Sequence, residues 1–372
     1  MLINDERAVV RAHPGGHRVT LSQVAAASRV SIATVSKVVN GRSGVGLETR
    51  ARVEAAVESL GYVSPAERLG GAFAMRESLI ELLVDPHDIS NPYVSLLLGG
   101  AMEIAELLRA GLILRSTDVA IAENPIGWAR GLARSGRAGV IEVTTSYSAA
   151  RERALRSVGL PLVLVDPIES ATSRAPTIGA TNWQGAYAAT RHLLMLGHTR
   201  IAYLGGPPGA GCDNLRARGW ADAMAEAGLA ADRTTVPREG YTFEHGLAAG
   251  TRMLSQHRPP TAIFAGSDIS ATGVLEAARR RGVRVPQELS VVGFDDTVLA
   301  ASASPPLTTV HQPIADIGRL AVATLMKLAR GDSVPVKHVE LGIRLVIRES
   351  TAPPGSVQRS KSQVSETAIH LE

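Results

Sequence analysis

The residues able to do chemistry in this chain are unevenly placed. Between positions 18 and 52 six basic side chains, Arg18, Arg29, Lys37, Arg42, Arg50 and Arg52, stand against one acidic residue, Glu48, while the 372-residue chain as a whole carries a net charge of only +4. A short cationic segment on a nearly neutral body is the electrostatic footprint of a nucleic-acid contact. Arginine is the default cation here, since the only lysines are Lys37, Lys327, Lys337 and Lys361, so its abundance carries no function by itself. The single cysteine, Cys212, excludes a disulfide framework, a paired-cysteine zinc site and a Cys-x-x-Cys redox motif. The ten histidines are scattered, and neither a metal nor a cofactor is expected. Gly205-Gly206-Pro207-Pro208-Gly209-Ala210-Gly211 invites comparison with a phosphate loop. It lacks the Gly-Lys-Ser/Thr ending, and its prolines remove amide donors, so it reads as a loop on the rim of a cleft. No nucleophile elbow is present, and no enzyme activity is expected.

The elements that must position these groups fall into two kinds. Leu21, Val24 and Ala25 recur at helical spacing behind Thr20, a good N-cap. A second helix is expected from Ile32 to about Val39, capped by Ser31 and stopped by Asn40-Gly41; a third runs from Glu48 to Leu60. Two short helices joined by a tight turn, with a third behind, form a helix-turn-helix. Beyond Pro65, short apolar runs alternate with amphipathic stretches. Strands are expected at 79–84, 112–115, 140–144, 162–165, 201–204, 261–264 and 290–294, with helices at 94–110, 184–196, 216–227, 245–256 and 270–281. Such alternation implies an α/β class, with parallel sheets wrapped by helices, and the length suits two lobes. The expected organisation is a mobile arm at 1–17, a DNA-binding domain at 18–63, a hinge at 64–77, an effector and dimerisation domain at 78–352, and a disordered tail at 353–372. Within the effector domain, lobe 1 is expected at about 78–176 and 309–332, and lobe 2 at about 177–308 and 333–352. No apolar run reaches the ~18 residues of a membrane helix and no signal peptide is visible, so a cytoplasmic protein is expected.

The string Val19-Thr20-Leu21-Ser22-Gln23-Val24-Ala25, followed by Val30-Ser31-Ile32-Ala33-Thr34-Val35-Ser36-Lys37-Val38-Val39-Asn40-Gly41, resembles the DNA-binding head of the lactose repressor/galactose repressor family. The likeness continues through Leu60-Gly61-Tyr62, Asn91-Pro92-Tyr93, Leu196-Gly197-His198, Arg216-x-x-Gly219-Trp220, Val291-Val292-Gly293-Phe294-Asp295-Asp296 and Pro306-Leu307-Thr308-Thr309-Val310, in the family's order over roughly residues 18–352. The resemblance implies a dimeric, sequence-specific DNA-binding regulator of carbohydrate-use genes, with a core similar to periplasmic sugar-binding proteins. Its partners would be operator DNA, a small sugar and a second copy of the chain, and no membrane.

By the same resemblance, Ile32, Ala33 and Lys37 read bases in the major groove. Ile32 and Ala33 suit a thymine methyl, and Lys37 suits guanine O6/N7. Thr20, Ser31, Thr34, Ser36, Asn40 and Thr49 carry hydroxyls or amides suited to phosphates; Leu21, Arg50 and Tyr62 complete the expected DNA-binding set, with Leu69 as a displaced minor-groove wedge in a weak hinge helix. The expected effector residues are Tyr93, Trp183, Arg216, Trp220, Tyr241, Ser267, Asp268 and Asp295, with Trp220 more readily a core residue than a ligand wall. Arg216 also admits the reading of an inter-lobe salt bridge. Thr181-Asn182 stands where the family usually has Asp-Asn, and Ser267 replaces an amide, which leaves the effector open among a pentose, a hexose and a short oligosaccharide. A sugar-binding module or enzyme on the same core would explain residues 78–352 equally well but leaves the basic head without a role. A purine- or amino-acid-responsive regulator would differ only in its ligand.

Overall fold

Local hydrogen bonding starts each helix of the head. In the computed structural model, which describes residues 20–39, 45–60, 62, 78–117, 119–168, 172–231 and 236–355, Thr20 closes a reciprocal capping box with Gln23 at the start of α1 (Leu21–Ser28). Arg29, at φ 52°, ends that helix in the left-handed region. Ser31 Oγ then accepts the Thr34 amide at 3.1 Å and starts α2 (Ile32–Val39). Val24, Val35, Val38, Val53, Ala56 and Tyr62 bury together with α3 (Leu47–Leu60) behind them. The expected stop at Asn40-Gly41, the hinge with Leu69, the arm and residues 356–372 lie outside the described residues.

The second unit begins at Ser78. Its first sheet is wholly parallel and orders β1 (Ser78–Val84), β2 (Ala110–Ser116), β3 (Arg137–Val143), β4 (Leu162–Val165), β5 (Thr177–Ala180) and β10 (His338–Leu341) as β10-β5-β4-β3-β1-β2. The second sheet orders β11 (Arg344–Val346), β9 (Thr308–His311), β8 (Ser290–Asp295), β7 (Ala262–Ala265) and β6 (Ile201–Leu204) as β11-β9-β8-β7-β6. Only the β11–β9 pair there is antiparallel. Helices α4 (Pro92–Leu107), α5 (Val119–Glu123), α6 (Pro125–Arg134), α7 (Ala149–Ser157) and α13 (Ile314–Ala329) accompany the first sheet. The second carries α8 (Asn182–Met195), α9 (Gly211–Glu226), α10 (Phe243–Leu254), α11 (Asp268–Arg280) and α12 (Val298–Ser302). Each sheet is buried between two apolar clusters, which is why strands such as β4 and β7 read as continuous apolar runs.

Among the described residues the chain passes between the sheets at 180–182, 311–314 and 341–344. These points correct the expected lobe limits. Residues 177–180 and 338–341 belong with lobe 1, because β5 and β10 pair with each other at its edge. Residues 308–311 belong with lobe 2, where the threonines of β9 are fully buried and bonded to Asp268, Ser350 and Arg348. A buried strand built from threonine gives no hydropathy signal. His198, expected to be a plain turn residue, is buried as well, and its ring bonds Thr261, Ser290 and the Ala352 carbonyl.

Candidate functional site

In the head, the face of α2 opposite Val35 and Val38 is open. Ile32 is 50% exposed, and Ala33 and Lys37 are exposed beside it, so an aliphatic tip and an ammonium project from one helix surface. Ser31 and Thr34 bond each other at 2.9 Å, and Ser31 caps the helix. Thr20 is the α1 cap, while Thr49 and Arg50 are half-buried on α3. Leu21 packs against the head core and Tyr62 is inside it, so these two hold the head together from within. Their matched positions reflect that packing.

In the second unit, backbone strain marks the functional region. Thr144 (φ 50°), Asp166 (φ 42°) and Asp295 (φ 113°) adopt left-handed conformations that cost non-glycine residues energy. Each sits at or just past the carboxyl end of a strand, β3, β4 and β8 respectively, and all three line one cleft between the lobes. That is where ligands bind in open α/β sheets. Counting the solvent in its open mouth, the space between these walls is about 580 Å³. Across its mouth, Ile168 of lobe 1 forms an isolated antiparallel bridge with Ala210 of lobe 2.

Tyr93 stands at the start of α4, whose first turn is ordered by Asn91 Oδ1 accepting the Tyr93 amide at 3.0 Å. Its phenol donates to Asp166 Oδ2 at 2.6 Å. Arg216, on α9, is only 3% exposed. Its Nε donates to Asn182 Oδ1 at 2.8 Å and its Nη1 to the Gly266 carbonyl at 2.6 Å and to Tyr241 Oη at 3.3 Å. The guanidinium lies 3.8 Å from the centroid of the Phe294 ring and 3.9 Å from Asp295 Oδ1. Arg216 and Asp295 both belong to lobe 2, so this pair does not bridge the lobes. Asp295 accepts Gln312 Nε2 at 2.6 Å. Burial raises the Asp295 carboxyl to about 8 against the opposing pull of Arg216, with Asp268 adding to the rise. Burial likewise raises Asp166, even though the Tyr93 bond favours its charged form. Cys212, beside the cleft, is pushed up to about 12 by the same desolvation.

Of the eight expected effector residues, Tyr93, Arg216, Tyr241 and Asp295 line the cleft. The other four serve elsewhere. Trp183 donates its indole N–H to Asp222 and stacks on Tyr187 with ring centroids 5.0 Å apart. Trp220 is a core residue, its indole N–H bonded to the Ile201 carbonyl. Ser267 caps α11. Asp268 is fully buried and accepts the Thr297 amide and the hydroxyls of Thr297 and Thr309, tying the β8 and β9 ends together. In their place the wall contains Asp88, Asn91, Thr144, Asp166 and Ile168 from lobe 1. Asp166 and Thr144 follow apolar runs that the sequence already reads as strands, so the strand-end rule alone would have found them. Among the described residues no group of three His, Cys, Asp or Glu is placed to hold a metal ion, and no helix is long and apolar enough to cross a membrane.

Comparison with known proteins gives two family matches. "Bacterial regulatory proteins, lacI family" matches residues 20–64, and "Periplasmic binding protein-like domain" matches residues 190–351. Catabolite control protein A of Priestia megaterium is 32% identical over 340 residues, covering 90% of this chain and 99% of that protein. Among solved structures, a transcriptional regulator CelR–cellobiose complex superposes with a TM-score of 0.68 at 29% identity, covering 90% of this chain and all of that one. A Lac repressor dimer bound to operator and an anti-inducer gives a TM-score of 0.64 at 27% identity over the same shares of the two chains.

Proposed function

The chain belongs to the LacI family of bacterial regulatory proteins, and from that premise we propose that it is a repressor that binds operator DNA as a homodimer and is controlled by a small sugar held between its two lobes. The observation that carries this reading is the open face of α2. Ile32, Ala33 and Lys37 project from a helix whose other side is fixed by Val35 and Val38. A rigid helix with an aliphatic tip and a cation on its free side suits base edges in the major groove, with the surrounding hydroxyls placed for phosphates. A dimer would then read an approximate palindrome. The cleft supplies the regulatory input. Carboxylates and a guanidinium that converge beside tyrosine rings are the groups that grip hydroxyls, and the similar CelR structure holds cellobiose.

Two assays test this reading together. A gel shift with fragments from upstream of the protein's own coding sequence should give a discrete, salt-sensitive complex. A thermal-shift panel of sugars, nucleobases and amino acids should show a rise in melting temperature for sugars, since a ligand that binds only the folded state stabilises it by mass action. A rise confined to nucleobases or amino acids would replace the sugar, and the absence of any sequence-selective complex would remove the regulator.

A further inference from the structure

Among the described residues the chain passes between the lobes at 180–182, 311–314 and 341–344, so a change in the angle between the lobes must be taken up in the backbone there. Three polar groups of the cleft wall reach these crossovers directly. Arg216 Nε donates to Asn182 Oδ1 at 2.8 Å, and Asn182 Nδ2 donates to the Ala180 carbonyl at 2.9 Å. The neighbouring Thr181 amide donates to the Leu341 carbonyl at 2.9 Å, which ties the first crossover to the third. At the second, Gln312 donates to Asp295 twice, from Nε2 to Oδ1 at 2.6 Å and from its backbone amide to the Asp295 carbonyl at 3.3 Å. From lobe 1, Asp166 lies so close to Gly179, one residue before the first crossover, that a Cβ there would stand 2.6 Å from its Oδ1.

Asn182 and Gln312 are both buried, and neither lines the cleft. Each stands behind a group that does. The guanidinium is planar and rigid, so a ligand that turns the edge of Arg216 facing the cleft also turns the Nε–H that holds Asn182. The carboxyl of Asp295 is planar too, and a hydroxyl that turns one oxygen moves the other against Gln312. Gln312 Oε1 is buried without a hydrogen-bond partner in this setting of the lobes, and a setting that pairs it is favoured by that bond.

We propose that Asn182 and Gln312 are positioning residues that couple the cleft to the angle between its lobes: a ligand held by Arg216 and Asp295 acts on the crossovers through these two side-chain amides. This rests on the reading of the cleft as the effector site and names the groups by which occupancy is passed on.

Fluorescence anisotropy of the full chain on a palindromic fragment from its own upstream region gives the ratio of operator affinities at zero and saturating sugar, using whichever of D-ribose, D-glucose and cellobiose binds. Saturation makes that ratio independent of the sugar's affinity, so a residue that only shapes the cleft moves the sugar titration and leaves the ratio alone. The parent chain should show a ratio of about 5–150-fold. Gln312→Met and Asn182→Ala should each cut it by about 2–30-fold, toward one, while the sugar still saturates. Circular-dichroism melts check each fold, and Gln312→Asn, which keeps an amide but withdraws it from Asp295, serves if Gln312→Met does not fold. A ratio unchanged in the folded variants overturns the assignment of the two amides and leaves the effector site standing. If none of the three sugars binds the parent chain, or its ratio is one, the effector reading fails and this assignment with it.

Discussion

Replacing Arg216 with methionine probes how the cleft is held in shape. The substitution keeps an unbranched side chain over the Phe294 ring but removes every donor. It leaves Asn182 Oδ1 and the Gly266 carbonyl without the N–H groups now at 2.8 and 2.6 Å, and strips Asp295 of its cation. A buried acceptor that loses its donor costs about 1–3 kcal/mol, and breaking a buried ion pair costs about 3–5 kcal/mol. These figures overlap. Asp295 adds little to the cost at pH 7, because its carboxyl stands at about 8 and is already largely protonated there even beside Arg216. The lower end therefore applies, roughly 3 kcal/mol, or about 6–12 °C in melting temperature at ~2–4 °C per kcal/mol. Arg216→Lys keeps the charge but not the planar fork and should fall between. Circular-dichroism melts of the full chain at pH 7 measure all three proteins. An Arg216→Met protein melting within ~2 °C of the parent would refute the clamp. At 3% exposure with these partners, Arg216 is a structural group as well, and its loss tests folding before it tests binding.

Other sites give independent checks. Gly219 lies where α9 crosses α8, and a methyl there would stand 2.3 Å from the Trp183 carbonyl. Gly219→Ala must separate two helix backbones and should cost about 1–3 kcal/mol or more, so an unchanged urea midpoint would contradict the crossing. Asp268 and Asp295 are raised to about 7 and about 8 in the folded state, burial being the first cause of each. Their unfolded values lie near 3.9, so the folded chain holds more protons between pH ~4 and ~8, and stability falls as pH rises through that window. Melting temperatures should decline from pH 5.5 to 8.5 and Asp268→Asn should flatten the slope; a rise across that window would show the signs are wrong. Lys37→Ala should weaken operator binding by roughly 1–3 kcal/mol and relax preference at one base pair per half-site. A loss uniform over all sequences would make Lys37 a phosphate contact.

How much was legible in the sequence depended on what kind of signal each element carried. The head could be read almost residue by residue, because caps at Thr20 and Ser31 and the spacing of Val24, Val35 and Val38 are local signals. The strands with continuous apolar runs, such as 162–165 and 201–204, were equally plain. β9 was not, because its threonines are stabilised by hydrogen bonds to residues about 40 positions away, and β10 was not, because only pairing with β5 makes it a strand. In the cleft, Tyr93, Arg216, Tyr241 and Asp295 stood at matched positions and do line the wall. Trp183 and Trp220 have the right chemistry on the wrong helix faces, which only the packing of α8, α9 and the second sheet decides. Asp166 went unread although it directly follows an expected strand, where the strand-end rule looks; only its left-handed turn at φ 42° is not written in the local residues.

The most direct measurement is the operator affinity of the full chain at zero and saturating neutral sugar, read by fluorescence anisotropy on a palindromic fragment from its own upstream region at fixed salt. Coupling between cleft and head should change that affinity by about 5–150-fold, and the operator should change the sugar's affinity by the same factor, as linkage requires. An operator affinity that is identical with and without a sugar shown to bind would contradict control of the head by the cleft.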